Sequence, residues 1–141
     1  MNRKAHLNAA IVINEYDTNR LTEIFYAYGE IQQAGKIAAA INKERTIKRI
    51  ETVSQLINAI EHIIPRHSEN QFLSRLFQAI RIEVNQELKS LEIMLNELLD
   101  LLLPGGRLVV ISYHSLEDRM VKNFMRWGNI KEQPIKDLYG N

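Results

Sequence analysis

The sequence predicts a mainly α fold, with a helical domain joined to an incomplete α/β unit. Most of the chain before residue 104 repeats apolar side chains at helical spacing. A single short apolar run, Leu108 to Ile111, then follows Pro104-Gly105-Gly106 and precedes a polar turn. This run is β-branched at its last three positions, which is typical of a strand buried on both faces of a parallel sheet.

A lone strand leaves its backbone groups without partners, and the chain contains no second run of comparable quality. We therefore expect the strand to pair with another copy, or the chain to be part of a larger protein.

Composition and charge exclude several classes of protein. The chain has 141 residues, of which 45% are hydrophobic and 25% charged, and its net charge of +1 gives no global basic field. The absence of cysteine excludes disulfides and thiolate chemistry and fits a reducing compartment. No signal peptide and no apolar stretch of about 18 residues is found, so we expect a cytoplasmic protein without membrane contact.

Helices are predicted through the N-terminal half from N-cap residues and apolar faces. Asn8 and Asp17 are candidate N-caps, and Thr52 with Gln55 matches a capping box. A basic connector, Lys43 to Arg49, separates the third helix from the fourth. The predicted helices cover residues 9–14, 18–28, 30–45 and 53–64.

One longer apolar face, from Leu73 to Leu102, predicts a single helix of roughly 30 residues with a possible bend near Asn85. A helix of that length commonly joins two structural units. Beyond the strand, Ser115 is a candidate N-cap for a last helix that ends at Gly128. Residues 129–141 are predicted to be a loop or tail.

Polar residues follow the predicted strand, at the edge of an α/β sheet where ligands bind. These residues are Tyr113, His114 and Ser115. Three interpretations stay open: a polar turn with a helix cap, a substrate site, and a metal cluster with Glu117 and Asp118. The spacing does not bring both carboxylates beside His114, so we predict no metal site.

A second polar set lies along one side of the long helix at spacings of three and four, and consists of Arg75, Gln78, Arg81 and Asn85. Such a set is most often a solvated face. As a functional set it suits phosphate and base-edge contacts in RNA.

Two stretches resemble a specific family. Residues 103–122, with Gly105-Gly106-Arg107 and Tyr113-His114-Ser115-Leu116-Glu117-Asp118-Arg119, are similar to the signature of the small-subunit ribosomal RNA N4-cytosine methyltransferases of the MraW/RsmH type. Residues 77–88, Phe77-Gln78-Ala79-Ile80-Arg81 onward, resemble a second motif of that family. Shorter matches at Leu7-Asn8-Ala9-Ala10, Tyr28-Gly29-Glu30 and Lys36-Ile37-Ala38 extend the resemblance over nearly the whole chain.

The resemblance implies a doubly wound α/β methyltransferase domain that binds S-adenosylmethionine, with an inserted helical domain that helps to hold RNA. Residues 1–85 resemble the inserted helical domain, and residues 86–141 resemble a partial C-terminal portion of the methyltransferase domain, with one buried strand and flanking helices. It implies transfer of a methyl group to N4 of a cytidine in small-subunit ribosomal RNA. The expected substrate contacts are Tyr113, His114 and Ser115 at the strand end, and Arg81, Gln78 and Asn85 at the RNA or the domain junction. No catalytic base is assigned.

The family's cofactor-binding segments have no counterpart in this sequence, and Asn2 stands where the family motif has aspartate. We therefore expect a fragment that is inactive alone and binds no S-adenosylmethionine by itself. The alternative is a stand-alone helical RNA-binding module, or a dimeric scaffold, derived from that family.

Overall fold

The computed structural model describes residues 7–128 and residue 130, so the predicted tail lies, apart from Ile130, outside the described residues. The chain divides into two compact units, of which the first ends at Gln86 and the second begins at Glu87. This division lies one residue from the predicted boundary. The roles assigned to the two parts remain predictions.

The described chain is mainly helical, as predicted, and residues 7–128 contain no assigned β-strand. None of the helices in this part of the chain is long and apolar enough to cross a membrane. The helices are α1 Ala9–Glu15, α2 Thr18–Ala27, α3 Ala34–Ile47, α4 Val53–Ile60 with a 3-10 turn at Glu61–Ile63, α5 Glu69–Asn85, α6 Glu87–Leu101 and α7 Ser115–Trp127.

The predicted N-caps of the first helices are confirmed. The Asn8 side chain accepts from the backbone N–H of Ile11 at 3.0 Å, and the Asp17 side chain accepts from that of Arg20 at 2.8 Å. Thr52 and Gln55 form the complete capping box before α4. These contacts span three or four residues, so the local sequence is enough to specify them.

The first unit is built around α2, α3 and α5. Leu21, Phe25, Ile37 and Leu76 are fully buried between these helices. α3 begins at Ala34, four residues later than predicted, since Glu30 adopts a left-handed backbone with φ of 51°. That conformation is not compatible with a helix, so the chain turns before α3 starts.

The prediction of one long helix from Leu73 to Leu102 is wrong. Gln86 has φ of 52° and ψ of 39°, which ends α5, and α6 starts at the next residue. The Gln86 backbone N–H donates to the carbonyls of Ile82 and Glu83, and its side-chain Nε2 also donates to Glu83 O at 2.7 Å. This closed helix end replaces the bend that was expected near Asn85.

The second unit has a small core of its own, made by Leu95, Val121 and Phe124. Leu108 and Val110 pack against this core, whereas Val109 and Ile111 are 84% and 78% exposed. The prediction of a strand buried on both faces is therefore wrong for the described chain. The alternation of burial has the period of a strand, but only one face is covered, because none of the described residues packs against the other face.

Candidate functional site

The polar turn that follows residue 112 leads into α7, and the N-cap residue of α7 differs from the prediction. His114, rather than Ser115, is the N-cap residue, and its Nδ1 accepts from the backbone N–H of Glu117 at 3.3 Å. Ser115 is the first helical residue and is exposed. The sequence predicted Ser115 because a hydroxyl is a common cap acceptor, whereas imidazole is an uncommon one.

Glu117 ties the two ends of this turn together. Its Oε2 accepts from the backbone N–H of Tyr113 at 2.9 Å, while its Oε1 lies 3.4 Å from Nε2 of His114. Glu87, the first residue of α6, brings its Oε2 to 3.7 Å from the same Nε2. The cluster formed by Glu87, His114 and Glu117 is therefore one imidazole between two carboxylates.

His114 is the buried centre of this cluster. Its side chain is 6% exposed, against 20% for Glu87 and 21% for Glu117. Because Nδ1 accepts the cap hydrogen bond, the proton of a neutral ring lies on Nε2. Nε2 is buried and makes no hydrogen bond within the described chain. The nearest carboxylate oxygens lie 3.4 Å and 3.7 Å from this atom, and neither makes a hydrogen bond to it.

Tyr113 has the opposite environment. Its side chain is 89% exposed, while its backbone is held by the bond to Glu117. The structure thus separates the three residues that the sequence grouped. Tyr113 presents an aromatic ring to the surface, His114 lies inside the turn, and Ser115 starts α7.

The polar set on α5 is also divided. Gln78 donates from Nε2 to the backbone carbonyl of Tyr28 at 3.2 Å, which fixes the turn before α3. Arg81 and Asn85 instead line an open groove of about 470 Å³. Arg75 lines a different depression on the same unit.

The groove beside Arg81 has a mainly apolar wall. Its floor includes the buried side chains of Ile13, Leu56 and Ile80, and the partly buried Phe77 stands beside them. An apolar concavity with a few polar groups at its edge is the usual form of a small-molecule or base-binding site.

Sequence reasoning missed a buried polar cluster in the first unit. Glu83 is 4% exposed, accepts from the hydroxyl of Tyr16 at 3.0 Å and pairs with Arg20 Nη2 at 3.2 Å. Burial, followed by the hydrogen bond and charge of Glu83, raises the pKa of Tyr16 above its ordinary value. The spacing of Glu83 from the buried Ala79 and Ile80 was a signal that it lies on the inner face.

Arg45, assigned from sequence to a basic connector, has a structural role. Its Nη1 donates to the carbonyls of Ile13 at 2.9 Å and Tyr16 at 2.6 Å, at the C-terminal end of α1. Asn42 Oδ1 accepts from the same guanidinium at 2.9 Å. Arg45 therefore satisfies helix-end carbonyls and contributes little to any free basic surface.

The described chain is thus a mainly helical protein of two units, and the second unit has one strand-like segment between α6 and α7. The family model of the MraW methylase family matches residues 1–137, so the chain belongs to that family. The resemblance found in the sequence is confirmed.

Individual relatives agree with this assignment. The chain is 48% identical over all of its 141 residues to the ribosomal RNA small subunit methyltransferase H of Bacteroides fragilis, and covers 46% of that protein. It is 50% identical to the enzyme of the same name from Phocaeicola vulgatus, and 49% identical over 145 aligned positions to that from Porphyromonas gingivalis. The chain thus spans about half the length of the curated relatives it matches.

Proposed function

We propose that this chain is the helical domain and adjoining strand–helix piece of a methyltransferase that modifies small-subunit ribosomal RNA. The observation that carries the proposal is the 48% identity that extends over the whole chain to a protein named for that activity. The cofactor we assign to the intact enzyme is S-adenosylmethionine, and the acceptor is N4 of a cytidine. The substrate would be the ribosomal RNA within the small subunit, in the cytoplasm.

The chain alone is proposed to bind no S-adenosylmethionine and to transfer no methyl group. It covers 46% of the Bacteroides fragilis relative, so more than half of that protein lies outside the match. Calorimetric titration of the cofactor into the chain tests this point, and saturable binding would contradict it.

Tyr113 is the residue we assign to the target cytidine. Enzymes that modify a base hold it out of its stack, and aromatic rings commonly supply the replacement surface. Exposure of 89% and a backbone fixed by Glu117 support this role. His114 supports the same edge by capping α7 from a buried side chain, and Ser115 follows as the first, exposed residue of that helix.

We assign Arg81 and Asn85 to contacts with the RNA, because both side chains line the groove. A volume of about 470 Å³ admits a nucleobase, and the apolar wall beside Phe77 suits its faces. The guanidinium and amide groups suit a phosphate and a base edge. Gln78 belongs to the same helix, but its contact with Tyr28 gives it a role in fixing the fold.

A chimera tests the functional proposal. In the Bacteroides fragilis relative, the matching 46% is replaced by this chain, and methyl transfer from labelled S-adenosylmethionine to small ribosomal subunits is measured. We expect transfer at a rate within about tenfold of the parent enzyme. A folded chimera that binds the cofactor but transfers nothing would overturn the proposal.

A second candidate role, self-association as a dimer, is favoured by the segment 107–112. Val109 and Ile111 present an exposed apolar face next to backbone groups that no described residue pairs with. Unpaired strand edges of this kind associate with other strands. Sedimentation equilibrium tests it: a dimer that Val109→Lys dissociates supports pairing through this edge, and a monomer at high concentration contradicts it.

A further inference from the structure

We propose that the Glu87–His114–Glu117 cluster is a binding site for one divalent transition-metal ion of the zinc type. The sequence predicted no metal site, because Glu117 and Asp118 could not both lie beside His114. In the structure Asp118 pairs with Lys122 at 2.7 Å, and the second carboxylate near His114 comes from Glu87, which is distant in sequence. The proposal rests on the geometry of these three side chains and does not depend on the methyltransferase function.

The geometry fits a single ion. His114 Nε2 lies 3.4 Å from Glu117 Oε1 and 3.7 Å from Glu87 Oε2, and one ligand atom from each residue lies within 4.8 Å of the others. Two ligands of a tetrahedral zinc ion lie about 3.3 Å apart, given bonds of about 2.0–2.1 Å. The two separations from Nε2 need to contract by only a few tenths of an ångström to reach this value.

The environment of the ligands supports the site independently. Nε2 of His114 is a buried polar atom without a hydrogen bond, on a side chain that is 6% exposed, and it faces the two carboxylates. Glu117 is oriented by the Tyr113 N–H, which bonds its other oxygen at 2.9 Å. Ligating carboxylates are usually held by such an outer hydrogen bond.

The donor set selects the ion. One imidazole nitrogen and two carboxylate oxygens suit Zn²⁺ and neighbouring first-row ions, whereas Mg²⁺ and Ca²⁺ prefer oxygen alone. Three protein ligands leave a fourth position for water. The ion would join the start of α6 to the start of α7 and so fix the turn that carries Tyr113.

Metal binding has a defined consequence for His114. In the metal-free chain the ring proton lies on Nε2, since Nδ1 accepts from the Glu117 N–H. An ion bound at Nε2 takes the place of that proton, which moves to Nδ1 and ends the cap hydrogen bond. The lost cap lowers the apparent affinity by about fivefold, as expected for one N-cap contact.

The test is calorimetric titration of ZnCl₂ into the full chain, with circular dichroism as a check on folding. We expect one high-affinity Zn²⁺ per chain, weakened at least tenfold by His114→Ala and by Glu87→Gln. Glu87→Gln is the decisive variant because it keeps the cap of α7 and the side-chain volume. His62→Ala, which removes an exposed imidazole in the first unit, should leave the affinity unchanged.

A ¹⁵N spectrum of the His114 ring gives the second readout. Zinc should convert the ring from the Nε2–H to the Nδ1–H tautomer, and a tenfold excess of Mg²⁺ should not. The proposal is overturned if zinc leaves the tautomer unchanged, if no zinc binds, or if Glu87→Gln binds zinc as tightly as the unaltered chain.

Discussion

Glu83 accepts a hydrogen bond from the hydroxyl of Tyr16, a residue 67 positions earlier in the chain, at 3.0 Å. The same carboxylate pairs with Arg20, so the end of α5 is joined both to the residue after α1 and to α2. A carboxylate that is 4% exposed needs such partners, and these contacts set the packing of the first unit.

Replacement of Glu83 by alanine should destabilise the first unit by about 2 kcal/mol. The change leaves the Tyr16 hydroxyl without its buried acceptor, while Arg20, whose side chain is 45% exposed, regains water. Urea denaturation followed by circular dichroism measures the effect. The matched control is Glu23→Ala, which removes the exposed partner of the same arginine and should cost less than about 0.5 kcal/mol. Equal losses for both variants would contradict a structural role for the buried pair.

Stability should fall as the pH rises above about 10. The folded state raises the pKa of Tyr16 from its ordinary value of 10.0, chiefly through burial and then through Glu83. In this range the folded chain holds more protons than the unfolded chain, so the free energy of unfolding decreases with pH. In Tyr16→Phe this part of the slope should disappear, whereas Tyr26→Phe, at a side chain that is 65% exposed, should retain it. An unchanged slope in Tyr16→Phe would show that another group is responsible.

Arg45→Lys should be nearly as damaging as Arg45→Ala, with a loss of about 2 kcal/mol. The guanidinium donates from one nitrogen to the carbonyls of Ile13 and Tyr16 and from others to Asn42, a geometry that an ammonium group does not reproduce. Thermal unfolding of both variants measures the loss. Lys43→Ala, at an exposed position on the same helix, is the control and should lie within about 0.5 kcal/mol of the unaltered chain. Full stability in Arg45→Lys would mean that charge alone matters here.

Tyr113→Ala in the chimera described above should lower methyl transfer by at least tenfold with little change in cofactor affinity. The exposed ring has no described packing role, so the folded state should tolerate its loss. Tyr113→Phe keeps a stacking surface and should retain most of the activity. Equal activity of Tyr113→Ala and the unaltered chimera would remove this residue from the substrate site.

Features set by neighbouring residues were predictable from the sequence, and those set by distant residues were not. The caps at Asn8, Asp17 and Thr52 depend on contacts three residues away, and the sequence shows them directly. The left-handed Gln86 was not foreseen, because glycine or asparagine is the usual residue in that conformation.

The candidate site shows the same limit. The turn at Tyr113 and His114 was predicted, but the approach of Glu87 to His114 depends on how α6 and α7 pack within the second unit. Val109 and Ile111 are exposed because none of the described residues covers their face of the segment. The apolar run alone shows that such a segment favours burial, without showing what covers it.

The most direct test of the functional account is nucleoside mass spectrometry of small-subunit ribosomal RNA treated with the chimera and S-adenosylmethionine. The account predicts N4-methylcytidine at a single site, and none when this chain is supplied alone. A chimera that folds and binds the cofactor but yields no N4-methylcytidine, or that methylates a different atom, would contradict the account.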